Sequence, residues 1–380
     1  MRKFIIDKWL IIIILLFAIV SIFTIGSAGK LIDSSDLMMR QAIWYGIGFI
    51  LIFIMMRVKN DFFIKYSFIM YIIGIILLGL LLLFGKPVNN AKCWFDIPHI
   101  GTFQPSEFVK IILIIMLSSM INKFNNDNPN PTCLEEFIFM VKVLFIVLIP
   151  SVLTFLQPDT GVVLIYLLIT LIMLFISGIR LRWFILLLII MGVSIGSVVF
   201  IYFYNQDLFI KIFGTSFFLR VDRLLDWSSS SGYQLENGLS AIGAGGVLGY
   251  GLNNTPIYFP EPHTDFIFAT FASNFGFVGS VLLILLIGFF DIKLVMLAIK
   301  TKKSINKYII SGILGMLIYQ QVQNIGMTIG LLPITGITLP FISYGGSSLL
   351  SYMLMIGFIF NISNETILDS KRLYKRKNIT

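Results

Sequence analysis

Charge is scarce in this sequence. Asp, Glu, Lys and Arg make up 12% of the residues while 57% are hydrophobic; a soluble domain carries about 25% charged residues, so a soluble globular fold is excluded. Cysteine is nearly absent, with only Cys93 and Cys133, and there are only two histidines, His99 and His263. That excludes a disulfide scaffold and a thiolate metal site, and neither cysteine has a metal-ligand neighbourhood. Strict apolar–polar alternation is missing as well, which argues against an outer-membrane barrel. The glycine-dense stretch 243–251 lacks the Lys-Ser/Thr ending of a phosphate-binding loop, so no nucleotide site is expected; a tight fold-back of the backbone is.

What fills the chain is continuous apolar runs. Stretches long enough to cross a bilayer, about 17–25 residues each, lie near 9–27, 41–57, 66–85, 106–121, 137–156, 160–178, 183–204, 266–290, 308–330 and 347–363. The expected fold is all-α: a polytopic membrane helical bundle of ten spans, forming one domain over 1–380. A single large loop, 205–264, joins the seventh and eighth spans. With both termini inside, the inner segments hold 20 of the 28 basic residues, including the tail from Ser370 to Lys377, so the positive-inside rule fixes the orientation. The net charge of +9 is a topology signal, attractive to anionic lipid at the tail, and nucleic acid is not an expected partner. Cys93 and Cys133 then fall on opposite sides of the membrane. The 205–264 loop is extracellular, far longer than ordinary connections, and so a functional segment.

Several ionisable residues gather at the outer mouth of this bundle. In His263-Thr264-Asp265-Phe266-Ile267-Phe268, Thr264 has the side chain of an N-cap, and Asp265 would fall in the first helical turn of the eighth span. Asp265 could there serve chemistry on a lipid head group, or simply complement the helix dipole. Glu107 and Lys110, three apart in Gln104-Pro105-Ser106-Glu107-Phe108-Val109-Lys110, share one helix face within or at the edge of the membrane. Intramembrane ions normally pair or line a wet cavity. Asp159, in the turn 157–161, can cap the sixth span and brings a third acid to the same depth. Lys92 and Trp94 lie in an aromatic external loop, and Arg220 and Arg223 in a basic, leucine-rich stretch expected to form a short interfacial helix. The segment 330–348, broken by Pro333, Pro340 and several glycines, cannot be one regular helix. Backbone of that kind is tolerated at membrane depth only against protein or a water-filled cavity, which sets Ser343 and its neighbours against the site.

The segments at 104–110, 157–161, 232–234, 243–251, 260–268 and 330–348 resemble, in matching order, the signature segments of the SEDS family, the bacterial RodA, FtsW and SpoVE proteins. The resemblance implies a peptidoglycan glycosyltransferase that polymerises lipid II at the outer face of the bacterial cytoplasmic (inner) membrane. It also implies a class B penicillin-binding protein as transpeptidase partner, other cell-wall elongation proteins, and undecaprenyl-diphosphate-linked glycan as the growing chain. It makes Asp265 the essential aspartate, Glu107 and Lys110 the charged pair of the central cavity, and Trp94 the loop tryptophan. Asn324-Ile325-Gly326-Met327 and the lack of long terminal extensions lean toward the RodA branch and a role in elongation and rod shape. A division or sporulation paralogue, FtsW-like or SpoVE-like, stays open beside it, as does a lipid II flippase. Two departures stand out: Cys93 replaces an arginine before Trp94, and Ser273 and Asn274 replace two glutamates.

Joining the 4-hydroxyl of one lipid-linked disaccharide to the anomeric carbon of another needs a base and positive charge for the departing diphosphate. Asp265 is assigned the base. Lys110, Arg220 and Arg223 are the candidate cations, with Lys92, Trp94, Asp159, His263 and Ser343 as further substrate-binding candidates and Glu107 orienting Lys110. A divalent ion, Mg or Mn, bridging the diphosphate suits this chemistry, although no ligand cluster in the sequence specifies one.

Overall fold

The computed structural model describes residues 5–85, 92–97, 101–215, 217–218, 221 and 232–377. The helices are α1 (Lys8–Leu31), α2 (Leu37–Arg57), α3 (Asn60–Lys65), α4 (Ser67–Phe84), α5 (Pro105–Asp127), α6 (Cys133–Leu156), α7 (Thr160–Ile176), α8 (Leu181–Tyr204), α9 (Gln206–Phe213), α10 (Tyr233–Ala244), α11 (Ile267–Lys300), α12 (Ser304–Thr328) and α13 (Gly346–Lys377). A small hairpin, β1 (Phe95–Ile97) against β2 (Gly101–Phe103), pairs Phe95 with Phe103.

Every expected span falls on a helix. By length and composition alone, seven helices could cross a membrane: α1, α2, α4, α6, α8, α11 and α13. Of the other three, α7 is apolar but only 17 residues long. Helices α5 and α12 are 23 and 25 residues long but carry polar side chains. Those side chains are buried against protein, Glu107 and Lys110 on α5 and Gln320, Gln321, Gln323 and Asn324 on α12. Helix α12 packs on α7, α11 and α5, so its polar groups face neighbours rather than lipid. The eighth span runs on to Lys300 and the last to Lys377, well past their apolar stretches, because a helix leaving the membrane keeps its own hydrogen bonds.

Local sequence sets the helix ends. Asp7 accepts from Trp9 N to cap α1, and Pro105 starts α5, where its missing N–H costs nothing. Thr132 and Glu135 form a reciprocal capping box on α6, and Asn205 caps α9.

Between α12 and α13 the chain is irregular, as expected, and its carbonyls are satisfied by side chains from three helices, α1, α2 and α12. Gln323 Nε2 donates to Pro333 O and Asn324 Nδ2 to Ile337 O, both at 2.8 Å. Ser21 Oγ donates to Ile342 O at 2.7 Å, Gln41 Nε2 to Ser343 O at 3.4 Å, and Tyr45 to Phe341 O. Phe341 stacks on Phe17 at 5.3 Å with Phe290 edge-on, which locks the segment into the apolar core.

The glycine stretch does fold back tightly, onto a kink in α11. Gly276 there has φ 65 and ψ −163, outside helical values. Tyr250 N and Gly251 N donate to Ser273 O and Asn274 O at 3.0 and 2.9 Å, while Phe277 N and Val278 N donate back to Gly246 O and Val247 O at 2.9 and 3.1 Å. A Cβ on Gly249 would stand 2.2 Å from Asn274 O and one on Gly276 2.4 Å from Gly249 N, so only glycine allows this approach. Within the long loop, α9 and α10 are helical. The expected interfacial helix around 219–227 lies outside the described residues except for Val221.

Candidate active site

At the end of the bundle where α1 meets α2 and α11 begins, a cavity of about 1270 Å³ opens between the hairpin, α2, α5, the α6–α7 turn, the start of α11 and the irregular segment. Its acidic lining includes Asp96, Glu107, Asp159, Glu261 and Asp265.

Asp265 lies on the wall, partly exposed. Helix α11 begins at Ile267 with Phe266 as its cap residue, so Asp265 stands just before the first turn rather than within it, and Thr264 is not the N-cap. Thr264 Oγ1 instead donates to Glu261 Oε2 at 2.6 Å and lies 3.2 Å from Asp265 Oδ1. The sequence has a capping residue at the right place; the turn 261–266 is set instead by Phe266 N donating to Glu261 O, with Glu261 at φ 54. The aspartate backbone is braced by Asn324 Nδ2, which donates to its carbonyl at 2.8 Å, and Ser343 Oγ donates to the neighbouring Thr264 O at 2.6 Å. Burial, and then the charge of Glu261, push the Asp265 carboxyl up to about 6.

Across the cavity, Asp159 caps α7 by accepting from Val162 N, as expected. Its Oδ2 accepts from Gln104 Nε2 at 3.0 Å, and burial raises it to about 6. Glu107 reaches the wall and lies 2.8 Å from Lys110 Nζ, a buried i,i+3 ion pair. Ser351 Oγ donates to Glu107 Oε2 at 3.4 Å. Lys110 itself is fully buried behind the wall, 5.6 Å from the Tyr352 ring, with no hydrogen bond of good geometry. Tyr352 accepts in turn from Gln320 Nε2 at 3.0 Å.

Trp94 and His263 line the cavity; Lys92 and Ser343 do not. Lys92 points to the exterior beside a buried Cys93, whose Sγ donates to Gln157 O at 3.0 Å. Ser343 is buried, its hydroxyl also accepting from Leu339 N, so it holds backbone together rather than facing the cavity. His263 is held below its ordinary value by burial and is therefore a neutral ring, with Nδ1 unpartnered. Arg220 and Arg223 lie outside the described residues. Ser273 and Asn274 are buried at the glycine fold-back, away from the cavity, where Asn274 Oδ1 accepts from Thr255.

Three lining residues escape a reading by motif. Arg40 and Trp44 on α2 and Glu261 join the wall only because the helices converge there. Among them only Glu261 carried a signal, being four residues before Asp265. Among the described residues no group of three or more His, Cys, Asp or Glu side chains could hold a metal ion by itself. The pair Glu261 and Asp265, joined through one hydroxyl, does suit an ion that arrives already bound to a diphosphate, since Mg²⁺ is commonly held by one or two carboxylates plus substrate phosphates.

A family model described as "Cell cycle protein", FTSW_RODA_SPOVE, matches residues 2–367. A Coxiella burnetii protein named "Probable peptidoglycan glycosyltransferase FtsW" is 33% identical over 380 residues, covering 95% of this chain and 96% of that one. "Stage V sporulation protein E" of Bacillus subtilis is 32% identical over 375 residues, covering 94% and 96%. Among solved structures, Thermus thermophilus "Rod shape determining protein RodA" superposes with a TM-score of 0.68 at 25% identity, covering 94% of this chain and 96% of that one. A chain from "Structural coordination of polymerization and crosslinking by a peptidoglycan synthase complex" shares the fold with a TM-score of 0.78 at 24% identity, covering 95% and 98%.

Proposed function

Because the chain belongs to the FtsW, RodA and SpoVE family, we propose that it is a peptidoglycan glycosyltransferase that polymerises lipid II at the outer face of the bacterial cytoplasmic membrane. The observation that carries the reading is Asp265: a carboxylate on the wall of a large cavity that His263 and Trp94 also line, its backbone pinned by Asn324. Both termini would then be cytoplasmic.

In this reading Asp265 takes the proton of the acceptor's 4-hydroxyl as its oxygen attacks the anomeric carbon of the donor. The carbon–oxygen bond to the diphosphate breaks and the lipid diphosphate leaves. A base in this role works best with its pKa near the working pH, and burial brings Asp265 up toward it. Trp94 and Trp44 offer flat faces on which sugar rings stack. Arg40 is the described guanidinium on the wall and the natural contact for a phosphate. Glu107 and buried Lys110 hold the floor of the site rather than touching the leaving group. A Mg²⁺ or Mn²⁺ ion carried on the diphosphate would neutralise leaving-group charge, with Glu261 as the carboxylate that would hold it and Asp265 left free to act as base.

The nascent strand carries peptide stems, so a class B penicillin-binding protein is the expected partner, together with other cell-wall proteins. Asn324, part of the segment that leaned toward the elongation branch, braces the Asp265 backbone. Relatives named for division and sporulation reach 33% identity, so a division-type role gains support over the elongation role.

The test is polymerisation of lipid II by purified protein. Asp265→Asn should keep its fold, substrate binding and melting temperature and lose about 10²- to 10⁴-fold in rate, the usual worth of a general base. Near-normal glycan from that variant would remove the catalytic role. Transport of lipid II across vesicles with no glycan formed would replace polymerisation by flipping.

A further inference from the structure

A second cleft, of about 550 Å³, lies at the opposite end of the bundle, between the start of α1, the end of α11 and the last turns of α13. Its lining combines three lysines, Lys293, Lys300 and Lys371, with the hydroxyls of Ser363, Thr366 and Ser370 and an apolar floor of Met296, Leu297 and Ile367. Asp7 is the one acid on the wall, and its carboxylate is engaged in capping α1. Two other carboxylates on this part of α13 are also occupied, Glu365 by Lys303 and Asp369 by Arg372 at 3.7 Å. No acid among the described residues lies within ion-pair distance of the three cleft lysines, so three ammonium groups face one already engaged carboxylate.

Depth and aromatic content add a second argument. Lys293 Nζ sits 5.5 Å from the ring centres of both Trp9 and Phe289, which are 56% and 41% exposed. An exposed tryptophan and lysines at the ends of apolar helices mark the head-group level of a bilayer. A concave site at that level, cationic above and apolar below, matches an amphiphile with a phosphate head and acyl tails. Free phosphate would use only the upper half. We propose that this cleft binds the phosphodiester head group of an anionic glycerophospholipid, with its acyl chains running along the exposed faces of α1 and α11. The lysines supply the charge and charge-assisted donors to the phosphate oxygens; Ser363 adds a short hydroxyl donor, while Thr366 and Ser370 donate to Ile362 O and Thr366 O of their own helix at 2.8 and 2.9 Å and shape the wall. The site is independent of the cavity at the other end and of the chemistry proposed there.

The full-length protein, purified in a neutral detergent, can be titrated with phosphatidylglycerol, phosphatidylcholine or inorganic phosphate and the bound adducts counted by native mass spectrometry. Wild type should take up phosphatidylglycerol saturably, at one site, and much more tightly than phosphatidylcholine. Inorganic phosphate should not displace it at equal concentration. Each lysine near an anionic surface is worth about fivefold in affinity, so the triple variant Lys293→Gln, Lys300→Gln, Lys371→Gln should lose on the order of a hundredfold. A control triple of exposed lysines at the same end, Lys59→Gln, Lys65→Gln, Lys302→Gln, should bind as wild type does. Glutamine keeps much of the stem, and equal melting temperatures verify that both triples fold. The proposal is overturned if the cleft variant holds phosphatidylglycerol within threefold of wild type, or if the control loses as much. Equally tight binding of inorganic phosphate would also overturn it, leaving a free-anion site.

Discussion

Asp265 and Glu261 form a pair of acids in which one raises the other, and this has a direct consequence for pH dependence. With Asp265 as base near 6, the rate should fall as pH drops through that value, because the protonated carboxyl accepts nothing. Glu261→Gln removes the neighbouring charge while leaving burial in place, so the acidic limb should move to lower pH, readable from initial rates between pH 5 and 8. Asp159 also sits near 6, but burial and Glu107 raise it, not Glu261. A limb that stays put in Glu261→Gln would therefore belong to Asp159. For the ion pair on α5, removing one partner strands the other in the protein interior. Lys110→Met should cost about 3–5 kcal/mol, and the double change with Glu107→Gln should cost clearly less, measured by denaturant or thermal unfolding of the purified protein. A double variant no more stable than the single would show that the stranded charge is not the source. Asp265, Glu107, Trp94 and Asp159, singled out by helix start, helix face or turn, do line one cavity, whereas Lys110, expected to meet the diphosphates, is buried behind its wall. Motif reading misplaced Lys92 and Ser343, since the direction in which a loop side chain points depends on what it packs against.

Among the elements, the kinked α11 and the glycine stretch behave as one unit held by backbone hydrogen bonds in both directions. Gly249→Ala adds a methyl where Asn274 O stands 2.2 Å away and φ is +78. It should destabilise by about 1–3 kcal/mol from overpacking, on top of the penalty for an L residue at positive φ. Gly246→Ala has φ +53 but open space around its Cβ, so it should cost only the conformational penalty, about 1–2 kcal/mol. Comparing the two melting curves separates contact from backbone strain; equal losses would mean that the close approach contributes nothing. The irregular segment follows the same logic. Prolines and glycines announced that 330–348 could not be helical. Which groups would satisfy its carbonyls was invisible, because Ser21, Gln41 and Tyr45 lie some 300 residues away and look like ordinary polar residues in apolar helices.

For the whole molecule, the orientation can be tested directly. Cys93 is buried and its thiol is pushed up to about 12 by burial, so it is a poor reporter; the exposed Lys92 beside it is a better position. In a Cys133→Ser background, Lys92→Cys should react with a membrane-impermeant thiol reagent on intact cells, whereas native Cys133, exposed at the other end of the bundle, should react only after lysis. Labelling of Cys133 in intact cells would reverse the topology. The sequence by itself determined the all-α membrane fold, a helix at each of the ten expected spans, seven of them long and apolar enough to cross a membrane, and the clustering of basic residues between particular spans. Those properties follow from local runs of apolar residues and from charge counts, which need no neighbours. Tertiary structure alone decided that α5 and α12 can carry buried polar groups, that Arg40, Trp44 and Glu261 join the wall around Asp265, and that Lys293, Lys300 and Lys371 converge on one cleft. Each depends on which helices become neighbours, and that choice is made by packing between residues tens to hundreds of positions apart.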